Sequence, residues 1–468
     1  MRKALKHYAA KEPSGLEWLG DIPSHWRVER AKSHLYAIDR RSNSGQEELL
    51  TVSSHRGVIP RRSANVTMFK AESYVGYKLC WPDDLVINSL WAWANGLGVS
   101  KYHGIISSAY GVYRLRNAGL MLPGFLHYLV RSSPFQWELQ VRSRGIWTSR
   151  LQLTDERFLD TPLAIPPAEE QAAIVRYLDW ACERLDRAIR AKRKIIALLN
   201  EQRQAIIHRA VTRGLDPKAP LKASGFPWLG EVPKHWNVMP LKHAFESMTY
   251  GISDPSTDEG TIRVLGMGHI RNGEIKVPED GGVNSVDASL LLEAGDLLFN
   301  RTNSQALVGK VGIFRGHHSP VTFASYLVRL RPKPDFGSEY LNFVLNSPAI
   351  LSVARQSSIP SLHQVNLNPT RYGRLAIALP DLDEQQLILR QLIDRCAPLD
   401  DAIQKADCSV SKIVEYRIRL IADVVTGKLD VREAAANLPA EVVQSTEIES
   451  DELESDEEEM AVAGQIDG

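Results

Sequence analysis

Several residue groups in this chain have types and spacings that could carry chemistry. Glu274-Ile-Lys276 lies downstream of Asp254 and Asp258, which together resemble the spaced acids and Glu-x-Lys of a metal-dependent nuclease. Such triplets are common on protein surfaces, and solvated charge is the simpler reading. Asn368-Pro-Thr-Arg-Tyr372 approaches the Asn/Asp-Pro-Pro-aromatic segment with which a methyltransferase holds a flipped adenine. It lacks the second proline and the adjacent aromatic, so it reads as a turn. Gly266-Met-Gly268 is too short for a cofactor loop, and Gly309-Lys310 stands without the rest of a phosphate loop. The thirteen histidines show no HxxxH or HExxH spacing, and Cys80, Cys182, Cys396 and Cys408 form no CxxC pair. No catalytic residue, cofactor or metal site is therefore expected in this chain.

The remaining chemistry is recognition. Base edges are read by Arg, Lys, Asn and Gln, and phosphates are held by cations and small polar groups. In turn-rich segments the candidates are Arg56, Arg61, Arg62, Lys101, Arg142, Arg144 and Arg150, with Trp91 and Trp93 between Asn88 and Asn95. Further along they are Arg263, Arg271, Asn272, Arg301, Asn303, Gln305 and Lys310. Any single one is more simply a solvated charge or a local pair; as a set, some should contact DNA. The formal net charge of zero conceals an uneven distribution. Residues 441–468 hold eleven acids and no Lys or Arg, so the remainder has 56 basic against 45 acidic residues, a net of +11. A basic body suits a polyanion, and the acidic tail reads as solvated and disordered. No stretch approaches the roughly 18 apolar residues of a membrane span. The first residues lack the apolar centre of a signal peptide, and a reducing cytoplasm fits the unpaired cysteines.

The elements that must position these residues are written twice. Gly15-Leu-Glu-Trp-Leu-Gly-Asp-Ile-Pro-Ser-His-Trp-Arg-Val28 recurs 210 residues later as Gly225-Phe-Pro-Trp-Leu-Gly-Glu-Val-Pro-Lys-His-Trp-Asn-Val238, with ten of fourteen positions identical or conservatively changed. Asp84-Leu-Val-Ile-Asn88 matches Asp296-Leu-Leu-Phe-Asn300. Phe125–Val130 matches Tyr340–Leu345, and Ile165-Pro-Pro-Ala-Glu-Glu-Gln171 matches Leu379-Pro-Asp-Leu-Asp-Glu-Gln385. A unit this long is a duplicated domain pair rather than a solenoid repeat. Within each head, Asp84–Asn88, Tyr110–Leu115 and Thr322–Leu330 read as β-runs, and Phe125–Val130 and Tyr340–Leu345 as short helices. Trp26 and Trp236 read as core anchors.

After each head the periodicity changes. Ile174, Leu178, Ala181, Leu185, Ala188, Ile195, Leu199 and Ile206 alternate by three and four, broken at Lys192 and Gln202. That spacing predicts a helix over 169–211 with a heptad seam. Glu169 and Glu170 suit the positive end of its dipole. A second helix over 384–426 carries Ile388, Leu392, Leu399, Ala402, Ile413 and Leu420. Cys182 and Cys396 share one repeat position and read as buried structural thiols. Two such seams in one chain pack most economically on each other. The expected fold is α+β: two duplicated mixed α/β heads joined by two long helices forming an antiparallel coiled coil. The expected division is 1–166, 167–214, 215–380, 381–435 and an acidic tail, 436–468.

The Leu-Gly-acidic-Ile/Val-Pro-x-His-Trp opening of each half resembles the specificity subunits of type I restriction–modification systems. So do the Glu-Gln helix start and the Val-Thr-x-x-Leu-Asp helix end. Tyr74–Leu115 and residues 250–330 look like that family's target-recognition domains. The resemblance, over about residues 14–435, implies that each head reads one half of an interrupted, asymmetric site in double-stranded DNA and that the helices set the spacing. It implies two methyltransferase subunits docked on the helices, carrying S-adenosylmethionine, and restriction subunits supplying an ATP- and magnesium-dependent translocating nuclease. The chain itself would bind and choose without reacting. The alternatives are a metal-dependent nuclease and a helical scaffold with protein-binding heads.

Overall fold

The repeated His-Trp and the repeated Glu-Gln meet in space. In the computed structural model, which describes residues 5–64, 72–145, 151–361 and 364–439, His25 Nε2 lies 2.7 Å from Glu170 Oε2, and Trp26 Nε1 donates to Glu170 Oε1 at 3.0 Å. The second copy repeats the contact: His235 Nε2 lies 2.7 Å from Glu384, and Trp236 Nε1 donates to it at 3.2 Å. The neighbouring Gln171 amide donates to the carbonyls of Leu120 and Pro166, and its oxygen accepts from Leu122 N. Gln385 likewise accepts from Gly337 N and donates to Pro380 O. Each head is thus pinned to the first turn of the helix that follows it. Glu170 serves as a buried acceptor in addition to its place at the helix N-terminus.

The central helix spans Ala168–Arg213 and the distal helix Leu382–Val425. Both stop at a left-handed glycine, Gly214 (φ +70°) and Gly427 (φ +73°), as helix ends favour. Gly427 has a second reason to be glycine: a Cβ there would lie 2.3 Å from Pro23 Cδ. The end of the distal helix therefore seats against the first head's Pro-x-His-Trp segment. Gly214 sits in the same way beside Pro233 and Trp236 of the second head.

Compactness divides the chain into one unit built on residues up to 191 and from 409 onward, and another on 192–408. Each contains part of both long helices, which run antiparallel within it. In the first unit Ile174, Leu178 and Ala181 share a core with Leu420, Val424 and Val425, and Arg417 pairs with Asp186. In the second, Ile207, Ala210 and Val211 share a core with Ile388, Leu392 and Cys396, and Arg203 pairs with Asp400 at 2.8 Å.

The seam departs from the heptad expectation. Ile189 and Ile207 are buried, whereas Ile195 is 51% exposed and Ile206 only half-buried. The inward positions repeat at the 3.6-residue period of a straight helix, so a strict 3.5-residue pattern drifts off the seam over several turns.

Each head carries the same antiparallel sheet. In the first the order is Leu35–Ala37, Tyr110–Leu115, Leu85–Asn88, Leu97–Val99. In the second the corresponding order is Phe245–Tyr250, Leu327–Pro332, Leu297–Asn300, Val311–Ile313, extended by the hairpin Glu274–Ile275 and Ile270–Arg271. Successive side chains face opposite sides of the sheet, so Leu85 and Ile87 enter the main core while Val86 enters a smaller one with Val112 and Cys80. A two-stranded ladder closes each base, Arg27–Arg30 with Pro162–Ile165 and Asn237–Pro240 with Ala376–Leu379. An ion pair on a buried aspartate is also duplicated. Arg114 clasps Asp84 with two bonds at 2.8 and 2.9 Å, and Arg331 clasps Asp296 with two at 2.8 Å.

One local expectation is corrected and one is refined. Thr322–Leu330 is not one run but two strands, Val321–Phe323 and Leu327–Pro332, separated by a turn. Asn368 caps a helical turn, Pro369–Tyr372, with its side chain accepting from Thr370 N and Arg371 N. Trp26 and Trp236 are buried core residues. Burial pushes the Cys182 thiol up to about 11 and the Cys80 thiol up to about 12, and raises that of Cys396, as for inert structural thiols. The acidic tail lies outside the described residues. Among the described residues no helix is long and apolar enough to cross a membrane.

Candidate nucleic-acid interface

In the first head the short helix Pro123–Val130 positions two loops. Its His127 and the following Arg131 are spaced i, i+4, so both point from one face. The half-buried Arg131 guanidinium is held by backbone carbonyls. It donates to Ser54 O at 2.6 Å, to Leu97 O and to Asn95 O. Ser54 lies in the hairpin turn that carries Arg56, and Asn95 ends the loop that carries Trp91 and Trp93. Asn95 Nδ2 also donates to Ser54 O at 2.8 Å, so the two loops are joined directly as well as through Arg131. Burial holds the Arg131 guanidinium down to about 10, below its ordinary value but still charged at neutral pH.

His127 Nδ1 accepts from Val99 N at 3.2 Å, which makes Nδ1 the unprotonated nitrogen. Burial lowers this histidine to about 3. Its neutral form therefore belongs to the folded state. Its stabilising contribution is complete above the unfolded value of about 6.5 and is lost as pH falls from there towards 3. Between pH 7 and pH 5 the first head should lose about 2 kcal/mol from this group, at roughly 1.4 kcal/mol per pH unit below 6.5. Denaturant titrations at both pH values should show a smaller drop for His127→Asn, the residue type that the second head carries at Asn342. An equal drop in both proteins would contradict the assignment.

A third segment joins this group. Leu153 N donates to Ser89 O at 2.9 Å, and Gln152 exchanges two backbone bonds with Arg144. Arg56, Trp91, Trp93 and Arg144 are thus brought onto neighbouring loops. Trp91 is exposed, whereas Trp93 is half-buried, stacked on Trp91 and tied to Leu90 O. Arg61 and Arg62 follow the far strand of the hairpin. Arg61 lies within electrostatic reach of Tyr110, and Arg62 pairs with Glu48 at 2.9 Å. Lys101 is exposed on the turn after Leu97–Val99. Arg142 is engaged by Glu138 at 2.6 Å. Arg150 lies outside the described residues.

The second head uses the same device with different residues. Asn342 and Asn346 occupy the repeat positions of His127 and Arg131. Asn342 Nδ2 donates to Gly273 O at 2.8 Å, and Asn346 pairs with both N and O of Val311. The hairpin tip held by Asn342 presents Arg271 and Asn272, whose φ of +50° lies in the left-handed region that asparagine tolerates. The loop from Arg301 to Lys310 flanks it. Arg301 lies 5.2 Å over the Tyr250 ring and donates to Ser325 O, while its Nε has no protein partner. Asn303 accepts from Ser304 N, and Gln305 is exposed. Lys310 and Asn272 both line a polar cavity of about 390 Å³ with Asn346 and Arg315. Arg263 stands apart from this group, held in its strand by the carbonyls of Gly260 and Gly281.

The nuclease cluster does not assemble. Glu274 is occupied by two bonds from Arg315 at 2.8 Å, and Asp254 and Asp258 are exposed. Among the described residues no three His, Cys, Asp or Glu side chains could hold a metal together. Sequence reading missed the anchoring pairs His127/Arg131 and Asn342/Asn346. The available signal was a polar i, i+4 pair recurring at one repeat position in an otherwise apolar helix.

Comparison with known proteins accords with this architecture. Residues 233–399 match the family described as "Type I restriction modification DNA specificity domain". The EcoKI specificity subunit of Escherichia coli (strain K12) is 22% identical over 367 residues, covering 76% of this chain and 77% of that protein. A putative MjaX specificity subunit from Methanocaldococcus jannaschii is 28% identical over 172 residues, covering 36% of this chain and 40% of that protein. A chain in a solved structure of a type I R-M system shares the fold, with a TM-score of 0.61 at 17% identity over 87% of this chain and 99% of that one. By its doubled sequence, its two like sheets and these relatives, the chain is similar to type I restriction–modification DNA specificity subunits, and residues 233–399 match that family's domain.

Proposed function

We propose that this chain is the non-catalytic DNA sequence-specificity subunit of a type I restriction–modification enzyme. Each head reads one half of a bipartite, asymmetric site in double-stranded DNA. The long helices set the spacing and dock two methyltransferase subunits; a 46-residue helix rises about 69 Å, roughly two turns of duplex. S-adenosylmethionine, ATP and magnesium act in the methyltransferase and restriction subunits, and this chain contributes choice of sequence. The observation that carries the reading is the doubled anchoring device. The same helix positions tie a hairpin and the strand beside the helix into each head, but with His127/Arg131 on Ser54, Asn95, Leu97 and Val99 in one and Asn342/Asn346 on Gly273 and Val311 in the other, while the loops themselves differ. That is the arrangement needed to present two different reading surfaces on one scaffold.

The test is binding of the chain, assembled with its methyltransferase subunits, to duplex carrying its mapped methylation site. Affinity should fall steeply between about 50 and 200 mM salt, as counterion release requires. Arg301→Ala should weaken binding about tenfold, the loss expected of one good base or phosphate contact. Salt-insensitive binding, or none, would favour protein-binding heads instead.

A further inference from the structure

The loop Ser89–Gly96 of the first head is rigid and yet presents apolar side chains to solvent. Leu90 is 46% and Trp91 56% exposed at its tip. Trp91 stacks on Trp93, with ring centroids 6.0 Å apart and planes within 16°, and Trp93 Nε1 donates back to Leu90 O at 3.0 Å. Beneath the tip Ala92 is fully buried. Trp91 O accepts from both Ala94 N and Gly96 N, and a Cβ on Gly96 would lie 2.7 Å from that oxygen. Arg131 and Leu153 fix the two ends of the loop through Asn95 O, Leu97 O and Ser89 O. The tip is therefore an apolar projection held from behind, rather than a loop that could fold its tryptophan away. Arg56 and Arg144 stand on the adjoining loops. The second head differs at this place. After the matching Asn300 it continues Arg301-Thr-Asn-Ser-Gln, with no aromatic residue at the tip.

A rigid apolar projection flanked by cations has the chemistry of a wedge that enters a base step, partly unstacking it, while the cations hold the phosphates on either side. We propose that the Leu90–Trp91 tip enters the base stack of the half-site read by the first head and distorts the duplex there, while the second head leaves its half-site stacked. This rests on the DNA-reading function proposed above and adds the mode of reading. The first head selects partly for a step that unstacks readily, and the second selects by hydrogen bonds.

The test uses the full chain with its methyltransferase subunits and duplex carrying the mapped site, with 2-aminopurine replacing each purine in turn except the methylated adenine. Fluorescence should rise at one step in the first half-site and at none in the second. Trp91→Ala should abolish the rise and weaken binding about tenfold, the worth of one base–aromatic stack. Trp91→Phe should restore both. Binding that keeps its half-site preference without any rise overturns the wedge alone, as does a rise unchanged in Trp91→Ala. Loss of the methyltransferase subunits in Trp91→Ala also overturns it and makes the tip a protein contact. Failure of the wild-type assembly to bind duplex overturns the specificity function and the wedge together.

Discussion

Glu170→Ala should destabilise the first head by about 3–5 kcal/mol, the loss expected when one partner of a buried, charged hydrogen-bond network is removed. Glu170 is 4% exposed and faces four groups: the Tyr8 hydroxyl at 2.6 Å, Trp26 Nε1 at 3.0 Å, His25 Nε2 at 2.7 Å and Arg432 at 4.0 Å. Burial and the carboxylate itself raise the Tyr8 phenol well above its ordinary value, so it remains a donor. Removing the carboxylate leaves two buried donors without an acceptor and unpins the His-Trp segment from the helix start. Glu384→Ala should cost less, about 1–2 kcal/mol, because that carboxylate is 25% exposed and water can replace it. Denaturant unfolding of the full chain, with Tyr8→Phe completing a double-mutant cycle, would show coupling between Tyr8 and Glu170. A loss below about 1 kcal/mol in Glu170→Ala would mean that the doubled motif does not hold the heads to their helices.

The duplication was legible because both copies lie in one chain and can be aligned by eye. The long helices were legible because their apolar stripes are long: a helix expected over 169–211 is observed over Ala168–Arg213. The seam departs from its expected course at Ile195, because three-and-four spacing near the helix start cannot distinguish a 3.5 from a 3.6 period. Glu170 was read only through its place in the first helical turn. Its hydrogen-bond partners are 144 to 162 residues away in sequence, and no local pattern reports such a contact. The candidate DNA contacts are legible in the sequence only by residue type. The structure brings Arg56, Trp91, Trp93 and Arg144 onto adjoining loops, and Arg271 and Asn272 beside the Arg301–Lys310 loop. It leaves Arg142 in an ion pair and Arg263 in a backbone tie, because a charge's partners depend on tertiary packing that residue type does not encode.

Independent heads are the central claim, and the geometry of the first head makes them separable. The chain enters and leaves the part of the first head that holds residues 40–160 at one place, where Ala31 N donates to Thr161 O at 2.8 Å and Arg30 pairs with Asp160 at 2.7 Å. The ladder Arg27–Arg30 with Pro162–Ile165 and the Glu170 anchor lie outside that segment. The direct measurement is to replace residues 40–160 by the matching segment of a similar specificity subunit with a different site, assemble the chimaera with the methyltransferase subunits, and map methylated adenines by sequencing. One half of the methylated site should change to that of the donor, while the other half and the spacing stay as they were. A site changed in both halves, or in neither, would contradict two heads reading independently from one helical scaffold.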